Sequence, residues 1–251
     1  MSREDPGGSG LAIREPPKVL VPVRVLEGQT VPEPLIEFLA PSDVVVLGYH
    51  VIPEQTATEQ ASMQFEDRAR EAVADIAAGF EAAGRDVERR VAFTHDRDQT
   101  IARVAEEVGA TAVLLPNPVG DVEDVLVAVR GAIDVDRLAD LVATLLAEGD
   151  QEVTLWGLGN GTADFDAEAA VERARETLRD RGLAGTRVTA ETTASDAPVR
   201  DVVERSGEFD VIVMGEGGPT LLSLLLGDAP ERVAEETVAP VLVVRPRPDR
   251  G

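Results

Sequence analysis

From residue 18 onward the chain alternates between two hydrophobic patterns. Short apolar, β-branched runs at 19–23, 43–47, 112–115, 152–155, 210–214 and 240–245 read as buried strands. Residues 86–93 alternate apolar and polar positions and read as a strand, as do residues 187–192. Between these runs apolar residues recur at helical spacing. The longest case is 58–83, with Phe65, Ala69, Val73, Ile76 and Phe80 along one face. Further helices are predicted at 32–39, 98–108, 134–147, 166–181, 197–206 and 228–237. Gly84, Gly109, Gly182 and Gly207 stand where four of them should stop. Strands alternating with helices predict an α/β fold with a parallel sheet.

The pattern runs twice. The segment from Asp124 to Arg130 repeats that from Lys18 to Arg24, differing only at its first and fifth positions. Helices and strands follow each copy in the same order, which predicts two tandem units. The expected division is a flexible tail at 1–17, rich in glycine and proline, an incomplete unit at 18–121 and a complete one at 122–247. After Leu115 the first unit has no glycine loop, fourth helix or fifth strand before the second begins. The last strand, 241–245, is therefore expected at an edge in need of a partner. An intramolecular pseudo-dimer that dimerises again as a homodimer is the expected assembly.

Composition narrows the chemistry. There is no cysteine, so disulfides, thiolate metal sites and cysteine nucleophiles are excluded. The 251 residues carry a formal charge of -23, and Lys18 is the only lysine. Such a chain repels nucleic acid and anionic membranes at long range. The acids are spread over helix faces, as at Glu168, Glu172 and Glu176, which reads as a solvated surface suited to high salt. It resembles the surfaces of proteins from salt-accumulating archaea. No uncharged run reaches the roughly 18 residues needed to span a bilayer. A soluble, cytoplasmic protein without membrane insertion is expected.

One stretch carries candidate chemistry. The strand at 210–214 ends in Gly215, Gly217 and Gly218 follow, and Gly227 precedes a predicted helix. A strand, a glycine loop and a helix N-terminus form a natural phosphate cradle. Asp228 stands at the start of that helix, and Asp228-x-x-Glu231 with Pro230 makes a capping box. A phosphate would compete with the Asp228 carboxylate for the same N–H donors. Two like charges 4 Å apart repel by about 4 kcal/mol at an effective dielectric near 20. Arg130 could offset this, or could simply pair with Asp228. Elsewhere the signals are weaker. His50 and His95 fall in different connections, without metal-ligand spacing. The glycines at 157, 159 and 161 lack the full dinucleotide spacing, and Ser223 lacks a nucleophile elbow. Trp156 reads as core.

Three features make the sequence similar to the universal stress protein family. These are the opening strands Val19–Val23 and Val125–Val129, the ending Tyr49-His50-Val51 of the second strand, and above all residues 209–245. The last follow the family plan of strand, Gly-x-x-Gly loop, spacer, glycine, helix and final Pro-Val-Leu-Val-Val strand. The resemblance implies a doubly wound, Rossmann-like sheet in the order 3-2-1-4-5, dimers and, in one branch, bound ATP. On this chain it implies a nucleotide site at Gly215, Gly218, Gly227 and Asp228, with Val129 and Arg130 beside it. Four departures stand out. Arg24 and Arg130 replace the acid after strand one. The spacer between Gly218 and Gly227 is one residue short. Asp228 replaces a hydroxyl residue, and Pro116-Asn117 replaces the loop glycine of the first unit. The implied function is that of a regulatory or accessory protein, not an enzyme, that acts on a protein partner through a degenerate nucleotide loop. An ATP or AMP sensor, with slow ATPase activity at most, is the alternative. A regulator of a membrane transporter acting in trans is a lesser one.

Overall fold

The computed structural model describes residues 16–55, 57–131, 133–159, 165–215 and 238–247. Most of the expected tail and the expected helix at 228–237 lie outside these residues. The first half runs β1 (Lys18–Arg24), α1 (Glu33–Phe38), β2 (Asp43–Val51), α2 (Thr58–Ala82), β3 (Val87–Thr94), α3 (Arg97–Glu107) and β4 (Ala112–Leu115). The second runs β5 (Asp124–Val129), α4 (Val135–Leu145), β6 (Glu152–Gly159), α5 (Ala167–Asp180), β7 (Val188–Ala194), α6 (Pro198–Arg205), β8 (Val211–Gly215) and β9 (Val241–Val244).

Local chemistry explains the boundaries. Asp96, Asp134 and Asp166 cap α3, α4 and α5, each carboxylate accepting the backbone N–H three residues on. Gly84, Gly109 and Gly182 take positive φ just beyond their helices, a conformation cheap only for glycine. Gly207 differs: it lies inside a 3-10 turn, Ser206–Glu208, that carries the chain from α6 toward β8.

The nine strands among the described residues form one sheet in the order β3-β2-β1-β4-β9-β8-β5-β6-β7. Within each half the order is the expected one, third-second-first-fourth, with β9 fifth in the second half. Every pairing in the sheet is parallel except β4 with β9. That exception corrects an expectation. β9 is not an edge strand: Ala112–Leu115 pair antiparallel with Val244–Val241, so the first half covers it. β9 thus occupies the place of the fifth strand that the first half lacks. Beyond the ladder, Arg245 N–H donates to the Thr111 carbonyl at 2.9 Å, and Thr111 N–H donates to the Lys18 carbonyl at 2.7 Å.

Two layers of helices bury the sheet. Helices α1, α2, α4 and α5 cover one face and share a core that crosses both halves, from Val19 and Val44 through Leu114 and Leu242 to Val127 and Val153. On the other face α3 packs on Leu20, Val45 and Leu47, and α6 packs on Leu126, Ala128 and Ile212. Successive residues of a strand face opposite layers. Gly48 and Gly157 occupy matching positions in β2 and β6, in register with Val23 and Val129. Each lets a helix sit close: a Cβ on Gly157 would lie 2.7 Å from Val171 of α5, and one on Gly48 would collide with Val73 of α2.

Candidate functional site

In a parallel sheet the C-terminal ends of the strands face the connecting loops, and ligands bind there where strand order reverses direction. In the second half that point lies between β5 and β8, whose successors β6 and β9 lie on opposite sides. A cleft of about 290 Å³, measured out to open solvent, sits there. Its walls are Ala128, Leu158, Met214 and Gly215 from the strand ends, Pro198 and Val202 from α6, and Arg130.

The walls follow from strand alternation. Ala128 and Arg130 are two residues apart and share the α6 face. Val129 lies between them and turns into the opposite core, where it is fully buried. Of the two residues expected beside the nucleotide, the cleft therefore takes the side chain of Arg130 alone. Gly215 ends β8, and a Cβ there would lie 2.9 Å from Ile133, so packing by itself requires glycine. Gly218, Gly227 and Asp228 lie outside the described residues. Leu158, Pro198 and Val202 were not expected as lining. Two-residue alternation along β6 and the Pro198 start of α6 are the signals that point to them.

Arg130 is half-buried, and among the described residues it makes no hydrogen bond or ion pair. The rest of the cleft is apolar. A cation in such surroundings favours an anion attached to a flat or apolar body. The same cluster holds Trp156, the chain's single tryptophan, buried as expected. Its indole N–H donates to Thr193 Oγ1 at 3.1 Å, and Arg205 stacks over the ring 4.6 Å from the centroid.

The first half places different residues at the matching position. Arg24 pairs in register with Tyr49, which stands where Leu158 stands in the second half. Tyr49 is buried, and Arg97 at the start of α3 bonds to its hydroxyl. Burial pushes the Tyr49 hydroxyl above its ordinary pKa, against Arg97 and Arg24, which pull it down. Pro116 follows β4 where Gly215 ends β8. The cations here are matched: Arg24 pairs with Glu27 at 3.2 Å and Arg97 with Asp98 at 2.8 Å.

His50 packs between Phe65 and Phe93, its ring centroid 6.3 Å from each, and its buried Nδ1 has no hydrogen-bond partner among the described residues. His95 is exposed, with Nδ1 3.2 Å from the Ile52 carbonyl. Among the described residues no group of three or more His, Cys, Asp or Glu side chains is placed to hold a metal. None of the described helices is long and apolar enough to cross a membrane.

The model of the universal stress protein family matches residues 118–245, the whole of the second half. No curated protein matches the sequence. Among solved structures, a universal stress protein from Archaeoglobus fulgidus DSM 4304 is 16% identical, with a TM-score of 0.62. The match covers 91% of this chain and 96% of that one, so both halves share its fold. A universal stress protein in complex with cAMP is 23% identical over 50% of this chain and 98% of its own, with a TM-score of 0.40.

Proposed function

The chain belongs to the universal stress protein family, and we propose that within it this member is a non-enzymatic regulatory protein that binds one nucleotide per chain, in the second half only. The observation that carries this reading is Arg130, unpaired among the described residues, at the mouth of an apolar cleft beside Gly215. The apolar lining suits the flat face of a base, and Arg130 suits a phosphate. The site is assigned to the second half because Tyr49 and Pro116 stand in the first half at the positions of Leu158 and Gly215. The repeated strand order supports a tandem duplication in which the first copy lost its loop and fifth strand. The acidic, nearly lysine-free surface supports a cytoplasm rich in salt.

A second reading has its own support. Gly215 is required by its packing on Ile133, so glycine there can persist without any ligand. The second half would then serve as a docking module for a protein partner, with the loop kept as structure.

Thermal melting in molar KCl, with and without Mg-ATP, AMP and adenosine, separates the two. A ligand at a hundredfold excess over its Kd adds about 2.7 kcal/mol of stability. Because Trp156 belongs to the cluster that lines the cleft, its fluorescence should change on binding. Millimolar nucleotide that leaves both signals unmoved would eliminate the nucleotide reading in favour of the docking module.

A further inference from the structure

Arg130 differs from its counterpart in the first half by what surrounds it. Arg24 lies 3.2 Å from Glu27, and its backbone N–H donates to Gln29 Oε1 at 2.9 Å. Arg130 is half-buried and has no carboxylate partner among the described residues. The acids of α6, the helix that walls the cleft, are committed elsewhere. Asp201 accepts from Ser195 Oγ, and Glu204 pairs with Arg200 at 3.1 Å. On β7, Glu191 holds Arg205. A guanidinium half removed from water, with no anion of its own, is stabilised by taking one.

The side chains around it decide which anion. Ala128, Leu158, Pro198, Val202 and Met214 are apolar, and each is buried. They are also held in place. Ser195 N–H donates to the Gly159 carbonyl at 2.7 Å, and Ala197 N–H donates to Ser195 Oγ at 3.0 Å. These bonds tie the start of α6, with Pro198, to the end of β6, with Leu158. Walls already in position bind an apolar body without the cost of ordering them. They offer nothing to a polar body. Hydroxyls or ring nitrogens pressed against them would lose water without finding a side-chain partner. One guanidinium also balances one charge. A phosphate monoester carries about -1.5 to -2 at neutral pH, so it would need a second cation from beyond these walls. The ligand that the walls match has an apolar body and a single forked anionic group.

We propose that the cleft is a site for a small apolar organic carboxylate. Arg130 takes both carboxylate oxygens through its fork, and the walls from β6, β8 and α6 cover the hydrocarbon. The inference uses the described walls alone and does not rest on the nucleotide reading. Where a carboxylate and a nucleotide both bind, they compete for Arg130.

The test uses the full chain and isothermal titration in molar KCl, with benzoate as the probe. Benzamide keeps the ring without the charge, acetate keeps the charge without the ring, and ATP is titrated beside them. Benzoate should bind about tenfold more tightly than benzamide, the scale of one charge-assisted bidentate contact. Acetate, which leaves the apolar walls in water, should fall at least as far behind. R130Q should weaken benzoate by about tenfold and leave benzamide within about twofold, with R130K between. Melting temperatures check that each variant folds, and the ligand series on wild type stands without them. Equal affinity for benzoate and acetate, or for benzoate and benzamide, overturns the site, as does R130Q that binds benzoate like wild type. ATP binding without benzoate binding overturns this inference and leaves the nucleotide reading standing. Arg130-dependent benzoate binding without ATP binding keeps this inference and overturns that reading. If both bind, benzoate should raise the apparent Kd of ATP, and independent binding overturns the place given to benzoate. Binding of neither overturns both.

Discussion

At the scale of single residues, the two halves differ by what fills one place. Tyr49 stands in the first half where Leu158 lines the cleft of the second. Tyr49 is the only tyrosine in the chain, so absorbance at 295 nm titrates it alone. Its folded-state pKa is raised by burial, against the pull of Arg97 and Arg24. A hydroxyl raised in the folded state contributes stability that is complete below its unfolded pKa, about 10, and is lost as pH rises through the folded value. The native protein should therefore ionise its tyrosine at higher pH than the denatured chain, with melting temperature falling across that window. Y49F should flatten the fall, and a native midpoint at or below the denatured one would show that the hydroxyl meets water. The sequence made Arg130 legible, because it follows an apolar strand next to the glycine end of another. Val129 was drawn in with it, although alternation sends the two to opposite faces. The lining by Val202 was harder to read, because which face of α6 meets the cleft depends on how the helix lies across the sheet.

At the scale of elements, periodicity and caps were local and could be read directly. The three aspartate caps and the long stripe of α2 lie within a few residues of what they control. The pairing of β4 with β9 was out of reach, because it joins segments over a hundred residues apart whose apolar runs fit many neighbours equally well. An apolar strand does not state which edge it will cover. In the structure Leu242 is fully buried between Leu114 of β4 and Val213 of β8. Leu242→Ala should cost about 2–5 kcal/mol, the range for truncating a buried leucine. The loss should appear in both halves at once. Tyr49 reports the first half and Trp156 the second, so near-ultraviolet circular dichroism at their separate wavelengths should give coincident melting curves. Two well-separated transitions would mean that the halves are stable without the strand between them.

At the scale of the whole molecule, the pairing of β9 leaves β3 and β7 as the outer strands of the sheet. β3 carries Glu88, Arg89 and Arg90, and β7 carries Glu191 among threonines, mostly exposed. Charged side chains on a free edge oppose further pairing. A monomer of 26.7 kDa is therefore the expected species in sedimentation at high salt, and a dimer would show that an outer strand or a helix face is used. The formal charge of -23 sets the salt response. Raising KCl from about 0.1 M to 1 M shortens the Debye length from about 10 Å to 3 Å. Repulsion among the spread acids then fades faster than any exposed ion pair is weakened, and melting temperature should rise. A falling melting temperature would mean that exposed pairs such as Arg70–Glu66 and Arg103–Glu107 outweigh the net charge.

The position of β9 also has a consequence in time. The middle strand of the sheet is the last of its nine described strands to be synthesised. The β4 edge is complete at residue 115, yet its partner begins at residue 241. At about 5–20 residues per second, that edge waits roughly 6–25 s beyond the point where the first half could have folded. β8 waits beside the same gap. A nascent chain released early thus carries two raw apolar strand edges, so a stop codon just before residue 241 should send the product to chaperones or aggregates rather than leave a soluble first half. Translation has to pass residue 244 before either half is sealed.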